Sequence, residues 1–197
     1  MIRRFTTLVA REVRSYLLSP VAYVVMLFFL VVIGFNFSAG ISLLNRSPGD
    51  VSVLEAFFNT VLFWFSFVLI FPLITMRAFA EEFKLGTIET LMTAPVRDAE
   101  VVLAKFLGAL SFYILLWLPS GLYFLLFEAL TGNQAAQAPG AYVGSYLLLL
   151  LMGMFYISVG LLSSVLTRNQ IVAAVISFCA ITLLFFAGLL TFMVLDV

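Results

Sequence analysis

The sequence predicts an all-α polytopic membrane protein with five transmembrane helices, an N-terminal interfacial amphipathic helix, and a short helical element between spans two and three. Three observations predict it. The 197 residues are 64% hydrophobic and 10% charged, with 22 Phe, whereas a soluble domain is roughly half apolar and about a quarter charged. Charge-free stretches reach the roughly 20 residues a helix needs to cross a bilayer, where a helix satisfies its own backbone. Of the ten Lys and Arg, all but Arg46 fall on one side of the resulting topology.

Residues 1–19 come first. Ile2, Phe5, Leu8, Val9, Val13, Tyr16 and Leu17 share one helical stripe, with Arg3, Arg4, Arg11 and Arg14 off it. An Arg-bearing amphipathic helix beside a span lies in the headgroup plane, so the segment reads as an interfacial elbow. The alternative is a basic flank with no mechanical role. It is not a signal peptide, because its charges recur to Arg14 and the apolar stretch that follows is long enough to span. Ser19 and Pro20 then supply a cap and a first-turn proline for the next helix.

The spans are expected at 21–44, 56–76, 106–127, 142–166 and 171–195. The stretch "ALTGNQAAQAPGAY" is rich in Gly, Pro, Asn and Gln and reads as the loop before the fourth. Arg3, Arg4, Arg11, Arg14, Arg77, Lys84, Arg97, Lys105 and Arg168 lie on one side of these spans. The positive-inside bias makes that side cytoplasmic, the N-terminus and residues 77–105 included.

Several function classes are disfavoured. Every Asp, Glu, Lys and Arg falls at a span end or in a loop, whereas ion-coupled carriers hold an ionisable group at membrane depth. Asn36 is the main polar residue well inside a span and suits helix packing. With no His and one Cys, soft-metal sites are excluded and no metal ligands are expected. No catalytic triad or carboxylate pair stands out, and no G-x-x-x-x-G-K-[ST] loop is present to bind ATP. Cys179 alone forms no internal disulfide.

The informative stretch is "MRAFAEEFKLGTIETLMTAPVRDAEVVLAK", a charged island between two lipid-compatible segments. The second span runs on through "RAFAEEFKL" to Gly86, a C-terminal stop. Thr87 is placed to cap a short helix, "IETLMTA", with Glu89 near its positive end and Ile88, Leu91 and Met92 on one side. Pro95 ends it, and Asp98 caps the next helix, with Glu100 in its first turn. Such a short helix is marginal alone, so its apolar side must rest on something. Headgroups or the protein's own spans are one support; a groove in a soluble partner is the other.

These residues carry a resemblance. "FPLITMRAFAEEFKLGTIETLMTAPVRDAEVVLAKFLGAL" resembles the coupling region of type-2 ABC transporter permeases. "EVRSYLLSPVAYVVMLFFL" and "SSVLTRNQIVAAVISF" are similar to the start and the fourth-to-fifth turn of the gliding-motility-like branch. The specific element is E-E-x-x-x-G-T-x-E-x-L-x-x-A-P-V.

The resemblance implies a single permease domain over 1–197, the membrane subunit of an ABC exporter in a bacterial inner membrane. It would pair with a second permease, identical or homologous, and with separate ABC ATPase subunits that carry ATP and Mg. The chain itself would hold no cofactor, do no catalysis and bind no nucleic acid. Gly86, Thr87 and Pro95 would set the coupling helix, while Ile88, Glu89, Leu91 and Met92 would meet the ATPase. Glu81 and Glu82 would lie at its approach, paired with ATPase bases, with Lys84 or with Arg77; a solvated helix face is the alternative for both. Arg168, Asn169 and Gln170 form a tight turn suited to capping. Such permeases usually have six spans, so a chain ending at Val197 is expected to be a fragment or to lack the sixth. The competing function is a non-transporting anchor or assembly factor that recruits a soluble protein through 77–105. The substrate is not legible: Phe63, Trp64, Phe65, Phe112, Tyr113 and Trp117 suit an apolar pathway or ordinary helix packing.

Overall fold

The computed structural model describes residues 2–46, 53–58, 60–88, 97–131 and 139–195, all of its regular structure helical. Among the described residues, five helices are long and apolar enough to cross a membrane: Pro20–Leu43, Leu62–Leu85, Asp98–Phe127, Gly140–Val165 and Gln170–Gly188. The chain is a multi-pass membrane protein.

Helix α1 (Ile2–Leu17) ends in a turn in which Leu18 N–H donates to the Arg14 carbonyl at 2.9 Å. Pro20 then opens α2 (Pro20–Arg46), a position where its missing N–H costs no helical bond. The second span begins later than the sequence suggests. Ala56 lies in a separate short helix, α3 (Val53–Phe58), and the spanning helix α4 (Val61–Thr75) starts after Thr60, whose backbone is extended. Thr60 Oγ1 donates to the Ala56 carbonyl (3.2 Å) and Trp64 Nε1 to the Phe58 carbonyl (2.8 Å). These bonds tie the end of α3 to the start of α4, across a break in the helix that a hydropathy window cannot register.

Residues 76–79 interrupt the helix before α5 (Ala80–Leu85). Helix α6 (Asp98–Thr131) runs unbroken through Pro119; α7 (Pro139–Val165) and α8 (Gln170–Leu195) complete the bundle. Asn169 caps α8, its Oδ1 accepting from Ile171 N–H at 2.9 Å, as the tight-turn reading expects.

The core is a column of rings. Phe63 and Trp117 sit 5.7 Å apart and Phe71 and Tyr113 5.3 Å, so α4 meets α6 through aromatic side chains, and Phe57 of α3 extends the column to Phe124 of α6 at 5.3 Å. Phe63, Phe112, Tyr113 and Trp117 are buried helix-packing residues, while Phe65 points outward. Asn36 is fully buried, and its Nδ2 donates to the Val32 carbonyl at 2.9 Å.

Helix α7 approaches its neighbours through glycines. A Cβ on Gly153 would stand 2.2 Å from the Tyr113 ring, and one on Gly160 would stand 2.2 Å from Thr75 Oγ1. Gly160 and Ser164, four residues apart, form the small-residue spacing by which helices pack closely in lipid. Leu183, Phe186 and Leu190 of α8 face outward, a surface suited to acyl chains.

Candidate functional site

The basic end of the bundle gathers α1, the start of α2, the α4–α5 junction, the start of α6 and the end of α7. At the junction, residues 76–79 leave backbone groups without regular helical partners. Ser164 of α7 supplies them. Its Oγ accepts from Phe79 N–H (3.0 Å) and Ala80 N–H (3.1 Å) and lies 3.2 Å from the Met76 carbonyl, to which it donates. Phe79 and Ala80 are 6% and 0% exposed, so no water stands in for that hydroxyl. The break is thereby locked to the fourth span.

Beyond the break, α5 stops at Gly86, whose φ of 71° is left-handed, the conformation that favours glycine at a helix end. Thr87 and Ile88 are already helical. The Thr87 hydroxyl lies 3.5 Å from the Glu82 carbonyl, and Ile88 is half-buried against the protein's own core. Glu89, Leu91, Met92 and Pro95 lie outside the described residues.

Glu81 and Glu82 take different partners. Arg77, in the break, and Glu81, in α5, form a bidentate pair (2.8 and 2.9 Å), and the third arm of Arg77 donates to the Ser19 hydroxyl. Glu82 turns inward, not toward Lys84: its Oε1 lies 2.9 Å from Arg11 and 3.0 Å from Lys105. Glu12 closes the ring, 3.1 Å from Arg11 and 3.4 Å from Lys105. The Glu82 side chain is only 15% exposed, which rules out a solvated face for it. Lys105 is 2% exposed, and its ammonium stands 5.2 Å from the Phe79 ring centroid. Buried charge of this kind is tolerable only when paired, and here both signs are matched.

Gly108 makes the ring geometrically available. A Cβ there would stand 2.8 Å from the Cβ of Glu12, so the missing side chain lets α1 lie directly on α6. Burial pushes the Tyr16 hydroxyl's pKa up, the Glu12 carboxylate adds to the rise and Arg77 opposes it. Tyr16 therefore stays protonated, a potential donor. Arg97 is the cap of α6, one residue before the expected Asp98: Glu100 Oε2 accepts from Arg97 N–H at 3.1 Å, the return half of a capping box.

Sequence reasoning missed the ring and the Ser164 lock. Glu12 sits between Val9 and Tyr16 on the otherwise apolar stripe of α1, and that outlier was the available signal. Lys105, within "VVLAKFLGAL", is the matching outlier on α6. Ser164 gave only the Gly160 spacing.

The site gathers the ends of four of the five spans and holds no metal-binding cluster among the described residues. Over residues 13–188 the chain matches the family described as ABC-2 family transporter protein. No curated protein and no solved structure matches it.

Proposed function

The chain belongs to the ABC-2 transporter family, and from that premise we propose that it is the membrane-spanning permease subunit of an ATP-driven exporter. Membership implies pairing with an ABC ATPase subunit. The observation that carries the finer reading is the family match across nearly the whole bundle, joined to a second span that breaks, is locked by Ser164 and ends at a left-handed Gly86.

In this reading the basic end is cytoplasmic and the membrane is a bacterial inner membrane. ATP and Mg act on the ATPase, whose closure pushes the segment after Gly86. Thr87, Ile88, Glu89, Leu91 and Met92 meet the ATPase, and Pro95 ends the contact. Because α5 is tied to α7 by Ser164, and to α1 and α6 by Glu82, a push there moves four helices together. A second permease copy or homologue completes the pathway, and alternating access follows from relative tilting of the bundles. The two blocks "EVRSYLLSPVAYVVMLFFL" and "SSVLTRNQIVAAVISF" support the gliding-motility-like branch.

Affinity purification from native membranes tests the proposal. A Walker-motif ATPase is expected to co-purify, and Glu89→Lys or Leu91→Asp to weaken its association while membrane insertion persists. Recovery of a different soluble partner, with no ATPase, would favour a recruiting anchor instead.

A further inference from the structure

Helix α1 rests on α6 through one face only. Tyr16 stacks on Phe112 with ring centroids 5.7 Å apart, and Glu12 lies over Gly108. Thr6, Ala10, Val13 and Leu17, spaced i, i+4, i+7 and i+11, form the next strip around the helix. Between that strip and Leu107 of α6 runs an open groove of about 720 Å³. Val13 and Leu107 are half-buried along it, while Ala10 and Leu17 are exposed. Leu107 belongs to the apolar run that begins the third span, so the groove lies where acyl chains meet headgroups.

The rim of the groove is basic. Its charged residues are Arg11 and Arg14, and no Asp or Glu lines it. Arg11 is committed to the ion ring through Nη2, which meets both Glu12 and Glu82. Arg14 is exposed and joins none of the ion pairs among the described residues. The one acid of α1, Glu12, is turned away toward Lys105. A guanidinium takes phosphate oxygens in a fork, so Arg14 beside an apolar floor fits a phosphate that continues into hydrocarbon. A second copy laid on the same groove about a two-fold axis would set Arg14 against Arg14, which like charges oppose.

We propose that this groove binds an anionic phospholipid of the adjoining leaflet. Its headgroup accepts from Arg14, and an acyl chain lies over Ala10, Val13, Leu17 and Leu107. The lipid fills the open side of the α1–α6 contact and holds α1 in place beside the ion ring. Phosphatidylcholine carries the same phosphate but brings its own cation to Arg14, so it binds less well. The inference rests on the basic end lying at headgroup depth and not on the exporter reading.

Native mass spectrometry of the delipidated permease, titrated with phosphatidylglycerol and phosphatidylcholine of identical acyl chains, reads this directly. One phosphatidylglycerol per chain is expected, with a preference of about fivefold, the increment that one basic side chain supplies at an anionic surface. Arg14→Gln should bring the two lipids to near parity, and Arg14→Lys should keep most of the preference. Arg168→Gln removes an exposed cation at the same end of the bundle but outside the groove, and should change nothing. Ala10→Trp fills the groove and should abolish retention of both lipids. Equal retention of the two lipids by the parent overturns the site, as does an Arg14→Gln variant that keeps the preference. Loss of preference in Arg168→Gln as large as in Arg14→Gln would show a diffuse field and overturn it too. Displacement of the lipid when the ATPase is added would assign the groove to that partner instead. Should Ala10→Trp fail to fold, the Arg14 and Arg168 variants decide, since both side chains are exposed. Binding is measured without ATP, so failure here leaves the exporter reading standing.

Discussion

Replacing Ser164 with Ala removes one oxygen and leaves the fold otherwise intact. The hydroxyl accepts from Phe79 and Ala80, at 3.0 and 3.1 Å, and both residues are buried. Each stranded N–H would cost about 1–3 kcal/mol in a rigid interior. Membrane proteins recover part of that by relaxation, polar contacts between their helices averaging about 0.6 kcal/mol. Two amides lost together therefore give about 2 kcal/mol, which corresponds to roughly 30-fold easier local opening. Hydrogen exchange with residue-level fragmentation, on protein in nanodiscs, measures this at the Phe79 and Ala80 amides. Those two should accelerate by about that factor while amides in the middle of α4 stay within about twofold. Ser164→Cys, a weaker acceptor of similar size, should fall between parent and Ala. If Ser164→Ala leaves exchange at both amides unchanged, the lock does not hold the junction and the reasoning fails.

The remaining predictions concern the packing around that junction. Gly160→Ala places a methyl 2.2 Å from Thr75 Oγ1 and should lower thermal stability by about 1–3 kcal/mol, with partial recovery in Gly160→Ala/Thr75→Ala. Lys105→Met leaves Glu12 and Glu82 sharing Arg11 alone, and should cost about 3–5 kcal/mol in detergent unfolding. A double-mutant cycle with Glu82→Gln should return a coupling of about 1–3 kcal/mol; additivity would show that the ring has no energetic role. In a Cys179→Ser background, Val9→Cys should react with a water-soluble maleimide more slowly than Arg4→Cys, because Val9 is half-buried and Arg4 exposed. Equal rates would remove α1 from the bundle surface.

The spans were legible because lipid imposes a one-dimensional rule: about 20 apolar residues, free of charge, whatever their neighbours. Gly86 was legible for a local reason, since only the residue itself decides whether a left-handed turn is cheap. What stayed hidden depends on partners far along the chain. Glu82 looked like a surface acid two residues from Lys84; its actual partners, Arg11 and Lys105, are 71 residues away in one case and on a different span in the other. The second span looked continuous from Ala56, because hydropathy cannot see that Thr60 is extended. Ser164 resembled any of the serines in apolar helices until the broken backbone of residues 76–79 was set beside it. The aromatic residues were ambiguous in sequence, since packing and pathway use the same rings; depth inside the bundle assigned most of them to packing.

We propose that motion enters this bundle from an ATPase through the segment after Gly86. In-cell photo-crosslinking checks this, with a photo-reactive residue at position 91 and, as a control beyond the opposite end of the second span, at position 55 in α3. A covalent adduct is expected between position 91 and the ATPase subunit, and none from position 55. An intact permease–ATPase complex in which position 91 never crosslinks to the ATPase, or in which position 55 does, would contradict it.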